Sequence, residues 1–506
     1  MNIRTTDSSR QQRQGRSKAA ALALAALLAT APLTLTDAAW AAAPSGFADL
    51  IEGVAPAVVQ ITARQTDSGD NAQGDLSQIP EQFRDGPLRD FFEHFFGENG
   101  PGRGQGPQGQ RTALGSGFII SADGIVVTNN HVIGESDKME VTLKDGSRFP
   151  ARLVGSDDKT DLAVIKIEAD RSLPTVPWGD SDHARVGDWV VAVGNPFGLA
   201  GTATAGIVSS RGRDIGAGPY DDFIQIDAPI NTGNSGGPLF DGDGKVIGVN
   251  TAIYSPTGGS VGIGFAIPSN AARKVVAELQ DKGTVSRGWL GVAIQPVTPE
   301  VAESLGLAKA EGALVASVTP SSPAAKASLK QGDVIVSFDG KAIASPRELS
   351  RAVADAEIGE KGKLMLWRDG REMEVRVNIG EMPKQLAAAE PGQGKHAPEK
   401  GSKGGLQLGS LGLTLSPLDD ATRSRWGVSE STSGALVSAV DDRGNAADKG
   451  LQPGDVITRV NQEAVKSPKD VAEAVEKAKA AQRKTVLLLI ERRGTQQFVA
   501  VELSRA

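Results

Sequence analysis

One serine lies between glycines in the segment Asn-Thr-Gly-Asn-Ser-Gly-Gly-Pro at residues 231–238. Gly233 and Gly236 lack a Cβ, so the main chain can approach a substrate closely here. The backbone N–H groups of Gly233 and Ser235 can point at one spot, where the oxyanion of an acyl-transfer intermediate would lie. Because a serine hydroxyl is a weak nucleophile, it needs a histidine base and a carboxylate that orients the histidine. The segment therefore predicts nucleophilic catalysis by Ser235.

Candidates for the base and the acid precede the serine. His131 ends the apolar, β-branched run Ile-Val-Val-Thr-Asn-Asn-His, which predicts a strand that presents the imidazole at its end. Asp161 stands just before the apolar segment Leu-Ala-Val-Ile-Lys-Ile, a second predicted strand. The chain order His, Asp, Ser is that of chymotrypsin-type enzymes, not of α/β-hydrolases or subtilisins. Each feature alone is also compatible with a structural residue, and the three in this order favour a catalytic triad.

Five segments closely resemble the Do-like (HtrA) serine proteases, from about Phe47 to the C-terminus. They are Thr-Asn-Asn-His-Val at 128–132, Thr-Asp-Leu-Ala-Val at 160–164, Gly-Asn-Pro-Phe-Gly at 194–198, Gly-Asn-Ser-Gly-Gly-Pro at 233–238 and Gly-Ile-Gly-Phe-Ala-Ile-Pro at 262–268. The resemblance implies a mainly β protein: a chymotrypsin-like domain of two six-stranded barrels, with the active site between them. His131 and Asp161 would come from the first barrel and Ser235 from the second.

The order of predicted elements agrees with such a domain at residues 42–282. Short apolar runs separated by glycine turns follow one another from Val54 to Pro268, which favours a β-barrel or β-sandwich. Residues 269–282 predict a closing helix, with Ser269 or Asn270 as its N-cap and Gly283 at its end.

Residues 66–112 are rich in Gly, Gln, Pro and Asp and predict a long loop within this domain. The loop contains Asp-Phe-Phe-Glu-His-Phe-Phe at 90–96, whose phenylalanines need a surface to pack on. They either form a small local cluster or, as the resemblance implies, enter the active site of a neighbouring subunit and hold it inactive.

The C-terminal part of the chain contains a repeat. Gly-Ala-Leu-Val at 312–315 recurs at 434–437, and Gly-Asp-Val-Ile at 332–335 recurs with the same spacing at 454–457. This match predicts two copies of one domain, at 286–381 and 405–506, joined by a linker at 382–404 that is rich in Ala, Lys, Gly and Pro.

The two copies resemble PDZ domains, which bind peptide C-termini by adding the peptide as a strand to a sheet edge. By resemblance, successive amides of one loop capture the carboxylate. That loop is Trp289, Leu290, Gly291 and Val292 in the first copy and residues 410–413 in the second. The second copy either binds peptide in this way or only packs between subunits.

Composition and the N-terminal segment limit where the protein can be located and which partners it can have. Basic residues, an apolar run and small residues up to Ala41 predict a cleavable signal peptide at residues 1–41 and a periplasmic protein. An uncleaved anchor is disfavoured, because the apolar run barely reaches spanning length. The formal net charge of −7 argues against nucleic-acid partners. With no cysteine and four histidines, the chain is expected to have no disulfide, metal or cofactor.

The sequence also bears on substrate specificity and on activation. The resemblance implies an S1 pocket lined by Ile230, Tyr254 and Ile263, although Tyr254 departs from the aliphatic residue usual there. Secreted digestive proteases have an acid at the position of Asn234, which pairs with a newly cut N-terminus. Because Asn234 cannot form that pair, we expect activation by rearrangement of loops, with residues 211–222 and 251–260 as candidates.

The resemblance implies an ATP-independent endopeptidase of the peptidase Do type, and the combination of a protease with two peptide-binding modules indicates its substrates. It would degrade misfolded or unfolded proteins, because these expose the extended segments that strand addition captures. The resemblance also implies trimer-based homo-oligomers. The alternatives are a chaperone or holdase that only binds unfolded chains, and a signalling protease with a single substrate. The second alternative typically has one PDZ copy and a retained membrane anchor.

Overall fold

The structure is a computed structural model that describes residues 46–66, 110–195, 201–231, 233–255, 259–383 and 405–503. The predicted signal peptide, nearly all of the predicted loop at 66–112 and most of the predicted linker lie outside the described residues. No helix within the described ranges is both long and apolar enough to cross a membrane.

The first barrel closes from six strands in the order β1-β2-β3-β6-β5-β4. They follow helix α1 (Ala48–Val54), and α2 (Asn130–Ile133) lies between β3 and β4. The strands are β1 (Val58–Thr66), β2 (Gln110–Ser121), β3 (Ile125–Thr128), β4 (Lys138–Thr142), β5 (Arg148–Asp157) and β6 (Leu162–Ile167). Their β-branched and aliphatic side chains fill the interior, as expected for residues with high strand propensity.

The second barrel also has six strands, in the order β10-β11-β12-β9-β8-β7. They are β7 (Trp189–Gly194), β8 (Thr202–Arg213), β9 (Phe223–Ile226), β10 (Pro238–Phe240), β11 (Val246–Ile253) and β12 (Gly264–Pro268). Helix α3 (Ser269–Lys282) follows β12 and packs against β5, β6 and β11. It therefore contacts both barrels, and the prediction of a double-barrel domain is confirmed.

The predicted helix at 269–282 is confirmed, but its predicted N-cap is wrong. Pro268 occupies the N-cap, and no side chain caps this end. Ser269 instead donates its hydroxyl to the Gly179 carbonyl at 3.0 Å and accepts the Ser181 amide at 3.2 Å. These bonds attach the helix to the preceding segment of the chain. At the other end, Gly283 has a φ of 73°, a left-handed conformation that suits glycine.

The first repeat copy is a sheet in the order β14-β15-β16-β18-β19, with β17 paired to β16 and a separate pair formed by β13 and β20. Its elements are β13 (Gly288–Trp289), β14 (Val292–Pro296), α4 (Pro299–Leu305), β15 (Ala313–Val318), α5 (Pro323–Lys326), β16 (Val334–Phe338), β17 (Lys341–Ala342), α6 (Pro346–Ala354), β18 (Lys361–Arg368), β19 (Arg371–Asn378) and β20 (Gly380–Glu381).

The second copy has the sheet order β21-β22-β23-β24-β26-β27, with β25 paired to β24. Its elements are β21 (Leu406–Leu408), β22 (Leu413–Pro417), α7 (Asp420–Trp426), β23 (Ala435–Val440), α8 (Asn445–Asp448), β24 (Val456–Val460), β25 (Glu463–Ala464), α9 (Pro468–Ala480), β26 (Thr485–Arg492) and β27 (Thr495–Glu502). The two copies share the core of one fold, as the repeat predicts.

The first copy contacts both of its neighbours along the chain. Arg287, just before β13, donates to both carboxylate oxygens of Asp157 at 2.9 and 2.6 Å, and its guanidinium lies 4.8 Å from the centre of the Tyr220 ring. On its other side, an apolar cluster joins α4 to β26 and β27 of the second copy. Nothing in the sequence pattern had assigned these two contacts.

Candidate active site

His131 lies on a short helix between two strands of the first barrel. Strand β3 ends at Thr128, and His131 is in α2, so the prediction that a strand presents it directly is wrong. Asn129 and Asn130 follow the end of the strand, and the Asn129 side chain donates to the backbone carbonyl of Asp161. The His131 side chain is almost completely buried.

Asp161 fixes the orientation of the imidazole. Its carboxylate accepts Nδ1 of His131 at 2.7 Å, the backbone N–H of His131 at 2.9 Å and the hydroxyl of Thr251 at 2.6 Å. Its carbonyl accepts the side-chain amide of Asn129 at 2.8 Å. The backbone of Asp161 is left-handed, with a φ of 55°, a conformation that Asp tolerates better than most residues. With its proton on Nδ1, the imidazole has Nε2 as its acceptor.

Ser235 lies in the turn before β10, so the second barrel supplies it to the two residues of the first barrel. Ser235 is fully buried, and its hydroxyl has no hydrogen-bond partner among the residues that the structure describes. The serine is therefore not hydrogen-bonded to His131 in this conformation. Such catalytic hydrogen bonds often form only when substrate binds.

Ser116, on β2, holds the turn that contains Ser235, and the sequence analysis missed it. Its backbone N–H donates to the Ser235 carbonyl at 2.9 Å, and its hydroxyl donates to the Gly233 carbonyl. The same hydroxyl accepts the Asn195 amide at 2.8 Å, and the Thr128 hydroxyl donates to the Ser116 carbonyl at 2.7 Å. The signal was a serine between two glycines at 115–117, the type of segment that lets two backbones lie close together.

The amides that we predicted for oxyanion binding lie in this held turn. Gly233 and Gly236 have φ values of 102° and 82°, which side-chain-bearing residues rarely adopt. The Asn234 amide donates to the Asn231 carbonyl at 3.0 Å. Within the described part of the chain, no hydrogen bond uses the amides of Gly233 or Ser235. Neither donor is therefore used by another described residue, which is compatible with the predicted role.

The structure brings the three predicted S1 residues to one place. The Tyr254 amide donates to the Ile263 carbonyl at 3.0 Å, and Ile230 packs beside Gly264. Ile230 is fully buried, whereas Tyr254 is 41% exposed. The tyrosine ring is therefore at the rim of this site, and the small apolar part belongs to the two isoleucines.

The predicted carboxylate-binding loop of the first copy connects β13 to β14. Leu290 is buried, and Gly291 has a φ of 81° and accepts the Thr319 amide at 2.8 Å through its carbonyl. Trp289 pairs with Gly380, and Val292 begins the edge strand. The loop is thus held by these contacts, and its amides lie at the end of strand β14, with which no described strand pairs on its outer side.

Comparison with known proteins identifies the family. The trypsin-like peptidase domain family matches residues 115–249, and two PDZ domain families match residues 288–379 and 436–492. A protein of Brucella suis biovar 1 (strain 1330), "Probable periplasmic serine endoprotease DegP-like", is 46% identical over 96% of this chain and 97% of its own length. This chain belongs to the DegP-like (HtrA-type) family of serine endoproteases. The relative of the same name from Rhizobium meliloti (strain 1021) is 44% identical over 92% of this chain and 93% of its own.

Solved HtrA-type structures support the same assignment. The protease AlgW with a decapeptide is 39% identical, with a TM-score of 0.54, over 67% of this chain and 99% of its own. AlgW with a tripeptide has the same identity and TM-score and covers 98% of its own chain. This DegP-like chain therefore has a serine protease domain followed by two PDZ domains, as predicted.

Proposed function

We propose that this chain is an ATP-independent periplasmic endopeptidase that degrades misfolded or unfolded proteins. The observation that carries the proposal is the hydrogen-bonded His131–Asp161 pair in a chain whose Ser235 turn packs, at Gly236, against Thr128 and Asn129. The same chain has two PDZ domains. The relatives are named periplasmic, and the signal peptide predicted at residues 1–41 agrees with export.

In the proposed mechanism, Ser235 attacks the carbonyl carbon of a peptide bond while Nε2 of His131 takes the hydroxyl proton. Asp161 holds the proton on Nδ1 and stabilises the imidazolium that forms. The oxyanion accepts the amides of Gly233 and Ser235, and loss of one such donor typically costs about 3 kcal/mol of barrier. His131 then donates its proton to the leaving amine. Water hydrolyses the acyl-enzyme by the same route, and no cofactor takes part.

The substrate class follows from the open edge of the first PDZ domain. Strand β14 forms one edge of its sheet, and an extended peptide can add to it through backbone hydrogen bonds. Folded proteins hide such segments. The related protease AlgW has been solved with a decapeptide and with a tripeptide, which supports peptide binding by this chain as well. Small apolar residues fit the S1 site formed by Ile230 and Ile263, with Tyr254 at its rim.

The described conformation corresponds to a resting state in this proposal. Ser235 is fully buried and makes no hydrogen bond to His131, so we expect a rearrangement to accompany substrate binding. The loop between β8 and β9 is one candidate, because Arg347 and Arg351 of the first PDZ domain pair with its Asp214 and Asp222. Trimer-based self-association, which the family resemblance implies, would add contacts from neighbouring subunits.

The test is cleavage of one model protein, offered unfolded and folded, by the mature enzyme, by Ser235→Ala and by the control Ser121→Ala. We expect the wild type and the control to cleave mainly the unfolded form, and Ser235→Ala to leave it intact. Cleavage by purified Ser235→Ala would overturn the assigned nucleophile. If no form cleaves but all suppress aggregation of the unfolded protein, the chain is a chaperone and the proposed function is wrong.

A further inference from the structure

The two PDZ domains differ in how the chain reaches the carboxylate-binding loop. In the first domain, β13 pairs with β20, and β14 is left as an edge of the main sheet. In the second domain, β21 turns back and pairs antiparallel with β22, so that β21 is the edge strand. Because peptides add at this edge, residues of the chain itself take the position of a peptide in the second domain.

The carbonyl of Leu408, the last residue of β21, engages the loop that would capture a terminal carboxylate. The amides of Leu411 and Gly412 both donate to the Leu408 carbonyl, each at 3.0 Å. In the first domain, no hydrogen bond among the described residues uses the equivalent amides of Leu290 and Gly291. Among the described residues, the amides of this loop are therefore occupied in the second domain and unoccupied in the first.

The Leu408 side chain is buried as an anchor. It is 9% exposed and belongs to an apolar cluster with Val471 and Val475 of helix α9. The side chains of an added strand alternate between two faces, so that one set enters the groove beside the helix. The preceding residue, Gln407, is exposed, and Leu406, on the same face as Leu408, is 41% exposed, so Leu408 is the buried residue of the strand. Strand β21 thus lies in the groove between β22 and α9 with one apolar side chain inserted.

Burial at an equivalent position shows what β21 covers. Ile294 pairs with Val315 in the first domain, and Leu415 pairs with Val437 in the second. Ile294 is half-buried, whereas Leu415 is fully buried. The surface that the first domain leaves accessible to a peptide is therefore closed in the second.

The close contact extends one residue before the strand. A Cβ at Gly405 would lie 2.7 Å from the carbonyl oxygen of Leu415, which is closer than a side-chain carbon approaches an oxygen without displacing it. Only glycine lets the backbone lie against β22 at this point. A glycine at this position is one more feature that fits a segment built to occupy the edge.

We propose that residues 405–408 are an internal ligand of the second PDZ domain, which is therefore a latent peptide site. A tethered strand competes at high effective concentration, about millimolar for a short flexible connection, so an external peptide enters only after β21 leaves. The first domain is then the open site in the resting chain. This inference rests on the proposed function of the PDZ domains as peptide receptors.

The test counts bound peptides by calorimetry, using the full mature chain with Ser235→Ala and a peptide that has a free, apolar C-terminus. We expect one peptide per chain. Leu408→Asp should release the strand and give two, whereas Gln407→Asp, the same change on the exposed face, should remain at one. Two peptides on the unreleased chain, or one on a folded Leu408→Asp chain, would overturn the proposal.

A second measurement does not disturb the core. Gln407 and Thr414 lie directly opposite each other in the antiparallel pair, so their Cβ atoms are about 4.5–5.5 Å apart, close to the span of a disulfide. The chain has no cysteine, so Gln407→Cys with Thr414→Cys forms the only thiol pair. Mild oxidation should link them and leave one peptide bound; failure to link overturns the internal ligand. Linkage without any peptide binding would instead contradict the proposed function and leave the internal ligand standing.

Discussion

Ser116 forms hydrogen bonds through its backbone N–H, its backbone carbonyl and its hydroxyl to segments that surround the proposed nucleophile. Ser116→Ala leaves the Gly233 carbonyl and the Asn195 amide without their hydroxyl partner, at a cost of about 1–3 kcal/mol for a buried group. Because Gly233 is a proposed oxyanion donor, we expect kcat to fall roughly 10- to 100-fold while KM changes little. Steady-state kinetics on an unfolded substrate measure both constants.

Ser121→Ala is the matched control, because Ser121 is on the same strand and its hydroxyl contacts Asp123 at the hairpin. It should keep wild-type kcat and KM. Thermal melting of both variants separates loss of positioning from loss of folding. If Ser116→Ala lowers only the melting temperature and leaves kcat unchanged, Ser116 has a structural role alone.

At this scale, the sequence predicted the residues whose chemistry depends on their own type and immediate neighbours. Ser235, His131 and Asp161 belong to that set, and the structure brings the last two within hydrogen-bond distance. Thr251 and Ser116 do not, because their roles depend on contacts with residues distant in the chain. The Thr251 hydroxyl meets an aspartate 90 positions away, and no local pattern encodes such a pair.

At the scale of elements, helix α6 of the first PDZ domain holds the loop between β8 and β9. Arg347 and Arg351 pair with Asp214 and Asp222, the latter at 2.5 Å. Between them, Asp221 accepts two amides of the loop, and burial raises the pKa of its carboxyl group. The loop is therefore ordered from within and also attached to α6, the helix that packs against edge strand β14.

Replacing both Arg347 and Arg351 by Ala should uncouple the PDZ domain from the protease. We expect a peptide that binds to the first PDZ domain to change kcat/KM of the wild type several-fold and to leave the double variant unchanged, because the linking contacts are gone. Lys274→Ala is the control. Lys274, in α3 of the protease domain, pairs with Asp355 of the first PDZ domain at 3.3 Å, and this ion pair does not involve the loop. An equal peptide response in all three proteins would contradict this route.

Element boundaries were predictable where they depend on local signals. The limits of α3 follow from the polar start and the glycine stop. Its N-cap was not predictable, because Ser269 bonds to a segment that the chain reached about 90 residues earlier. Strand β21 was not predicted either, since it is short and lies in a glycine-rich stretch. Only its pairing partner makes it a strand.

At the scale of the whole molecule, the second PDZ domain has a sheet that is buried on both faces. Leu487, Leu489 and Phe498 face the first PDZ domain, while Leu488 and Val499 face the core of their own domain. The run Val-Leu-Leu-Leu-Ile at 486–490 is typical of a strand covered on both sides, so this packing left a signal in the sequence. No pattern in the sequence indicated that the first PDZ domain is the surface that covers this strand.

Phe498 is central to this interface. It is almost fully buried, and its backbone N–H and carbonyl bond to the side chain of Gln295 at 2.7 and 2.9 Å. Phe498→Ala should remove about 3–5 kcal/mol, mostly from the contact between the domains. We expect calorimetry to show one joint unfolding transition of the two PDZ domains in the wild type and two separate transitions in the variant.

Val499→Ala tests whether that separation comes from the interface. Val499 is the next residue on the same strand, and it points into the core of the second domain. Its loss should lower the temperature of the joint transition without splitting it, because the interface is untouched. If both variants give the same single, lowered transition, the two domains are not coupled through Phe498. A split confined to Phe498→Ala would show that this interface couples the unfolding of the two PDZ domains, because the loss of a core contact of similar depth leaves the transition single.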